Sequence, residues 1–196
     1  MRPDEVWGAR WRDCAHPLSH RFMETAAAKG TLVVLAADLA TTEELVRLIH
    51  QVGPHIAALK THVDMVEDFT MESWHEVVAA AHTHDLMLFE DRKFADIGKI
   101  SKTQMGGIYD IRSWADIVTA HRVSGPDIID GIAAGWDEVQ RIGGVFLLAQ
   151  MSSRGNLLSE GYTDATIATG AASPHVLGYI GNGSSPDEIS SLRGKV

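Results

Sequence analysis

Cysteine is nearly absent from this sequence. Cys14 stands alone among 196 residues, so no intramolecular disulfide can form and no thiolate cluster can hold a metal. Long apolar runs are missing as well: no stretch approaches the roughly 18 consecutive apolar residues that span a bilayer. The N-terminal segment MRPDEVWGARWRDCAHPLSH is charged throughout and lacks the apolar stretch of a signal peptide, so no membrane partner and a cytoplasmic location are expected. Cations are in the minority, with 17 Lys and Arg against 26 Asp and Glu for a net charge of −9. Without a basic block this excludes a general nucleic-acid binder, yet a few local cations can still hold a small anion. The ten histidines form no HExxH motif or closely spaced His/Cys set; scattered surface positions and no metal are expected.

What is present describes an ordinary globular chain. Hydrophobic residues make up 45% and charged residues 22% of it, enough to bury a core without disulfide or metal staples. Residues 1–30 read as an N-terminal arm with a helix over 17–29. From 31 to 196 a single domain is expected, in which short aliphatic runs alternate with amphipathic stretches of helical length. The predicted strands are 31–38 (TLVVLAAD), 56–63 (IAALKTHV), 86–92 (LMLFEDR), 116–123 (DIVTAHRV), 144–151 (GVFLLAQM) and 175–182 (HVLGYIGN). The predicted helices are 42–51, 71–84, 96–105, 127–140 and 163–172, and the tail SSPDEISSLRGKV reads as a loop with an incipient helix or strand. Such runs signify βαβ units and a parallel sheet. The repeat of roughly 25–30 residues suits a (β/α) barrel of the TIM type. Six strands also suit an open doubly wound sheet, and periodicity alone leaves both in play.

Charge sits at the ends of these strands. Asp38, Lys60, the Asp91/Lys93 pair and Ser152 close four of the six runs, and in a parallel α/β fold these ends share the face on which βα loops build sites. One such residue is most simply a structural ion pair, because a charge on a buried strand is costly unless paired. Four strands contributing to one face point instead to a functional site. Asp91 and Lys93 share a strand face, and Asp96 follows where the next helix begins.

The segment FEDRKFADIG, with Asp91-x-Lys93-x-x-Asp96, together with LKTHVD at 59–64, resembles the orotidine 5′-phosphate decarboxylase family of the eukaryotic type. AAD at 36–38, SWADIVTAH at 113–121, AQMSSRGNL at 149–157 and GYT at 161–163 extend the resemblance in order from about Val33 to Gly183. It implies a (β/α)8 TIM barrel, here with about six of the eight βα units, that needs no cofactor and acts on OMP to give UMP. The implied catalytic set is Lys60, Asp91 and Lys93, completed by Asp96 from a second subunit of a homodimer with shared sites. Lys93 would protonate the C6 carbanion, Asp38 and Lys60 would meet the ribose hydroxyls, and Ser152 would bind the pyrimidine.

The family pattern continues with a TPG-containing strand, a Gln- and Tyr-bearing phosphate loop and a GRG-like strand, none of which occurs in this sequence. Ala36 replaces the usual Ser, and Lys99-Ile100 replaces Asn-Thr, so Ile100 cannot make the ribose hydrogen bond of that Thr. Three readings follow: a decarboxylase whose remaining strands come from a complementing chain, a diverged lyase for another carboxylated pyrimidine or nucleoside, or a non-catalytic nucleotide-binding or dimer-partner remnant. The intact Asp91/Lys93/Asp96 set favours the first two.

Overall fold

The computed structural model describes residues 2–195. Two short helices, α1 (Pro3–Trp7) and α2 (Ala9–Asp13), precede α3 (Pro17–Lys29). Helix α3 starts where the His16 ring accepts the Leu18 amide and Pro17 supplies its preset φ; it ends at Gly30, whose φ of 66° suits a residue without Cβ. Its last residue, Lys29, donates to the carbonyls of Gly53, Ile56 and His84, which ties the helix beneath the sheet.

The βα units then follow in turn. They are β1 (Val34–Ala36), α4 (Thr42–Val52), β2 (Ala58–Thr61), α5 (Met71–Thr83), β3 (Met87–Phe94), α6 (Gly98–Met105) and α7 (Ile111–Trp114). After these come β4 (Ile117–Ala120), α8 (Asp127–Asp137), β5 (Gly144–Leu148), α9 (Glu160–Ala171), β6 (Val176–Ile180) and α10 (Pro186–Arg193). The helix starts are chemically marked: Thr41, Thr70, Ser159 and Ser185 each accept an amide of the first turn through the side-chain oxygen.

All five ladders are parallel, and the strand order is β1-β2-β3-β4-β5-β6. A doubly wound sheet reverses its order at a switch point; this one never does, so the winding is that of a (β/α) barrel. Among the described residues β1 and β6 each pair on one side only.

Strand alternation sorts the side chains into two layers. Leu59, Leu88, Val118 and Leu147 face the helices and join Leu45, Ile49, Trp74, Ile132 and Trp136 in the main core. Ala58, Met87, Phe89 and Ile117 line the concave face with Leu18, backed by Phe22 and Phe146. The concave face is therefore apolar at the N-terminal ends of the strands. Two residues further on, the same alternation brings Lys60, Asp91 and Thr119 to that face.

Five of the six strands are shorter than the sequence predicts, while β3 runs on to Phe94. Residues 37–38 and 62–63 leave the ladders to form loops, as do 121–123 and 149–151. Helix α6 starts two residues later than predicted and α9 three residues earlier, the latter at its Ser159 cap. Four short helices, α1, α2, α7 and α10, were not individually predicted. Among the described residues no helix is long and apolar enough to cross a membrane.

Helices α6 and α8 cross with backbone against backbone. A Cβ on Gly131 would meet the Gly98 carbonyl, and a Cβ on Gly98 would meet that of Asp127. Gly131→Ala is therefore expected to destabilise the fold by about 1–3 kcal/mol through overpacking. Urea denaturation measures it, and an unchanged midpoint would rule out this close crossing.

Candidate active site

Asp91 is the hub of the polar end of the concave face. Its Oδ2 lies 2.7 Å from Lys93 Nζ, 3.3 Å from Lys60 Nζ and 3.5 Å from His62 Nε2. Its Oδ1 accepts the Thr119 hydroxyl at 2.8 Å. Lys60 Nζ also lies 3.7 Å from Asp38 Oδ1, so the loop after β1 joins β2, β3 and β4 in one cluster. The Asp91 side chain is 13% exposed, that of Lys60 19% and that of Lys93 38%, so the cationic tip nearest solvent belongs to Lys93. Burial alone pulls the Asp91 carboxyl upward. The hydrogen bonds from Lys93 and Thr119, with the charges of Lys93 and Lys60, outweigh it and hold the group below the usual carboxylate range.

Local backbone geometry sets up this pair. Between Glu90 and Phe94 the β3–β4 register slips, and Lys93 adopts a φ of 53° in the left-handed region. A bulge of this kind re-aims a side chain at the end of a strand. The displaced Lys93 amide finds its acceptor in the Thr119 hydroxyl at 2.9 Å.

His62 is the next neighbour. Its Nε2 lies 3.1 Å from Lys60 Nζ, and its pKa is lowered by burial and by the Lys60 charge, with Lys93 adding to the effect against Asp91 and Asp38. A neutral ring that accepts from Lys60 satisfies both facts. His121, after β4, also has a lowered pKa, through burial and the Lys93 charge.

Behind the cluster Glu90 points into the protein and is 0% exposed. It accepts the Thr61 hydroxyl at 2.7 Å and the Val63 amide at 3.1 Å, bracing the turn that carries His62. Burial pushes its carboxyl up to about 8 against the pull of those hydrogen bonds, with Asp64 and Asp91 adding to the rise. Donor atoms of His62, Asp64 and Glu90 lie within 4.8 Å of one another. Each is already engaged, His62 with Lys60, Asp64 with Arg92 and Glu90 with Thr61 and Val63, so the trio does not fit a metal ion.

The structure thus brings together Asp38, Lys60, Asp91 and Lys93. Asp96 stands apart from them: its carboxylate accepts the amide of Ile97, while its carbonyl accepts the hydroxyls of Ser101 and Ser124. Ser152 is exposed on the loop after β5, a loop whose turn is held by Asn156 through the carbonyls of Met151 and Ser153. His62, Glu90 and Thr119 were missed from the sequence. Their signals were polar residues within apolar strands, two positions from Lys60 for His62 and within IVTA for Thr119.

In chemical terms the cluster is an ammonium held charged and aimed by a buried carboxylate, with a second ammonium behind it. Such an arrangement stabilises negative charge developing at a ligand atom and can deliver a proton to it.

The profile of the orotidine 5′-phosphate decarboxylase / HUMPS family matches residues 31–195. The orotidine 5′-phosphate decarboxylase of Candida dubliniensis is 37% identical over 182 residues, covering 90% of this chain and 67% of that protein. The enzyme of the same name from Candida albicans is 38% identical over 182 residues with the same coverage. The chain therefore spans about two thirds of the length of these curated relatives. Among solved structures, an orotidine 5′-monophosphate decarboxylase from Methanocaldococcus jannaschii complexed with inhibitor BMP superposes with a TM-score of 0.68. It shares 17% identity, over 83% of this chain and 72% of that one, and bears on the fold alone.

The Glu90 carboxyl is neutral in the folded protein up to about pH 8. In the unfolded chain it ionises near the ordinary Glu value of roughly 4.3. Its contribution to stability is complete below that lower value and is lost as pH rises through the folded pKa. Glu90→Gln removes the loss, so the stability of the variant relative to wild type should grow between about pH 5 and about pH 8. Urea denaturation at the two pH values decides it; a constant difference would mean that Glu90 is ionised in the fold.

Proposed function

The chain belongs to the orotidine 5′-phosphate decarboxylase / HUMPS family, and from that premise we propose that it decarboxylates orotidine 5′-phosphate to UMP without a cofactor. The observation that carries the reading is the Lys60–Asp91–Lys93 array, held at the C-terminal ends of adjacent strands with Lys93 the most exposed member.

In this reaction the C6–carboxylate bond breaks, CO₂ leaves, and the electron pair remains on C6. No carbonyl is adjacent to take up that charge, so the site has to stabilise it directly. The Lys93 ammonium does so through its fixed position and then transfers a proton from Nζ to C6, regaining one from solvent afterwards. Asp91 keeps Lys93 charged and aimed, and Lys60 adds a second positive charge at the same carboxylate oxygen. Because the array is assembled before the substrate arrives, little reorganisation accompanies the bond cleavage.

Asp38 and Lys60 bind the ribose hydroxyls in this reading, and Ser152 meets the pyrimidine from the loop after β5. The exposed Asp96 completes the array of a second copy in a cytoplasmic homodimer, which accounts for its lack of an ion pair with Lys93 in its own chain. Ile100, where the resemblance implies a Thr that reaches the ribose, favours as a second reading another carboxylated pyrimidine or nucleoside, gripped less firmly at its sugar.

Loss of OMP absorbance by the purified protein tests the proposal, with orotidine assayed beside it. Lys93→Ala is expected to lower kcat/KM by about a thousandfold or more, since both charge stabilisation and proton donation disappear. Turnover of orotidine in preference to OMP selects the second reading. A folded protein that turns over neither substrate refutes both.

A further inference from the structure

We propose that Thr119 is the positioning residue that sets the geometry of the Asp91–Lys93 pair, through one buried hydroxyl shared between the two. The inference rests on the decarboxylase reading for its catalytic consequence, but its structural content stands independently.

The Thr119 Oγ1 accepts the Lys93 amide at 2.9 Å and donates to Asp91 Oδ1 at 2.8 Å. The direction of both bonds is fixed by chemistry. A backbone amide can only donate and an ionised carboxylate can only accept, so the single hydroxyl proton is committed to Asp91. Thr119 is 0% exposed, which keeps water from substituting for either bond.

The bulge makes this hydroxyl necessary. With Lys93 at a φ of 53° and the β3–β4 register slipped, its amide has left the ladder. A buried amide without an acceptor is strongly disfavoured. Thr119 provides the acceptor from the facing strand and so holds a backbone conformation that a side-chain-bearing residue rarely adopts. The same atom anchors the carboxylate: Oδ1 meets Thr119, while Oδ2 faces Lys93, Lys60 and His62. Both ends of the carboxylate are thereby fixed, and the backbone of Lys93 and the side chain of Asp91 are referenced to a single oxygen. Only a hydroxyl of this size on β4 meets both requirements; Val has the shape without the chemistry.

The experiment compares wild type, Thr119→Val and Thr119→Ser. In the Val variant kcat should fall by about ten- to a hundredfold, while KM changes by less than about threefold, because binding groups are left in place. The Ser variant, which restores the hydroxyl, should recover most of that loss. Carboxyl NMR titration of the ligand-free proteins is the second readout. The Asp91 carboxyl should titrate at higher pH in Thr119→Val than in wild type, and return in Thr119→Ser. His62, Lys60 and Lys93 adjoin the same carboxylate, Glu90 acts on it from the next position, Asp38 lies beside Lys60 and His121 feels the Lys93 charge, so the Asp91 resonance has to be assigned rather than inferred from an activity profile.

If wild type turns over no OMP, the decarboxylase reading falls while the titration still decides the role of Thr119. A Val variant with wild-type kcat and unmoved Asp91 titration overturns the proposal, as does a Ser variant no better than Val. Should Thr119→Val fail to fold, Thr119→Cys is judged by the same criteria, since its thiol is similar in size and only a weak donor.

Discussion

A carboxylate that is nine parts in ten withdrawn from water has to be matched by partners on every side, and Asp91 imposes that demand on the whole upper half of the sheet. Removing one partner from a buried ion pair leaves an uncompensated charge, which typically costs about 3–5 kcal/mol. Lys60 answers from one neighbouring strand, Thr119 from the other, and Lys93 from a bulge in the strand that carries Asp91 itself. Each answer requires its strand to be in register. The parallel pairing of β2, β3 and β4 is therefore fixed twice, once by the apolar pattern below and again by the charge above.

The apolar half of the concave face gives this arrangement its footing. Phe89 and Phe146 meet edge to face at 5.4 Å, and Ala58, Met87 and Ile117 join them in one apolar cluster. Lys60, Asp91 and Thr119 stand directly above residues that exclude water. Their interactions are consequently stronger than the same groups would enjoy at an open surface. Glu90 shows the other side of that rule. It points into the helix layer, has no cation within reach, and keeps its proton to about pH 8. Two acidic neighbours in one strand thus sit in opposite charge states because the pleat sends them to opposite faces.

Much of this was legible in the sequence. The six apolar runs located the six strands, and the charges ending them located the site, because both follow from the two-residue period of a strand. Periodicity left the choice between a barrel-type winding and a doubly wound sheet open, since that depends on strand order rather than on local pattern; the motif resemblance implied the barrel, and the strand order bears it out. Several strand limits came out too long at their C-terminal ends: the predicted runs reach on to Val63 and Val123, whereas the ladders stop at Thr61 and Ala120. Lys93 was expected to follow strand geometry, whereas the bulge that aims it arises from pairing with β4 and leaves no mark in FEDRKF. Helix α7 is four residues long, too short for any periodicity to show.

The order in which the chain supplies these parts has a consequence for divergence. Asp38 follows β1, Lys60 lies on β2, Asp91 and Lys93 on β3 and Thr119 on β4, so the cluster is supplied by four successive βα units. The side chains that this chain gives to the cluster thus all come from its first four βα units, and β5 and β6 add none to it. A lineage can therefore remodel the later loops, and with them what the protein grips, while the charged unit passes unchanged from ancestor to descendant.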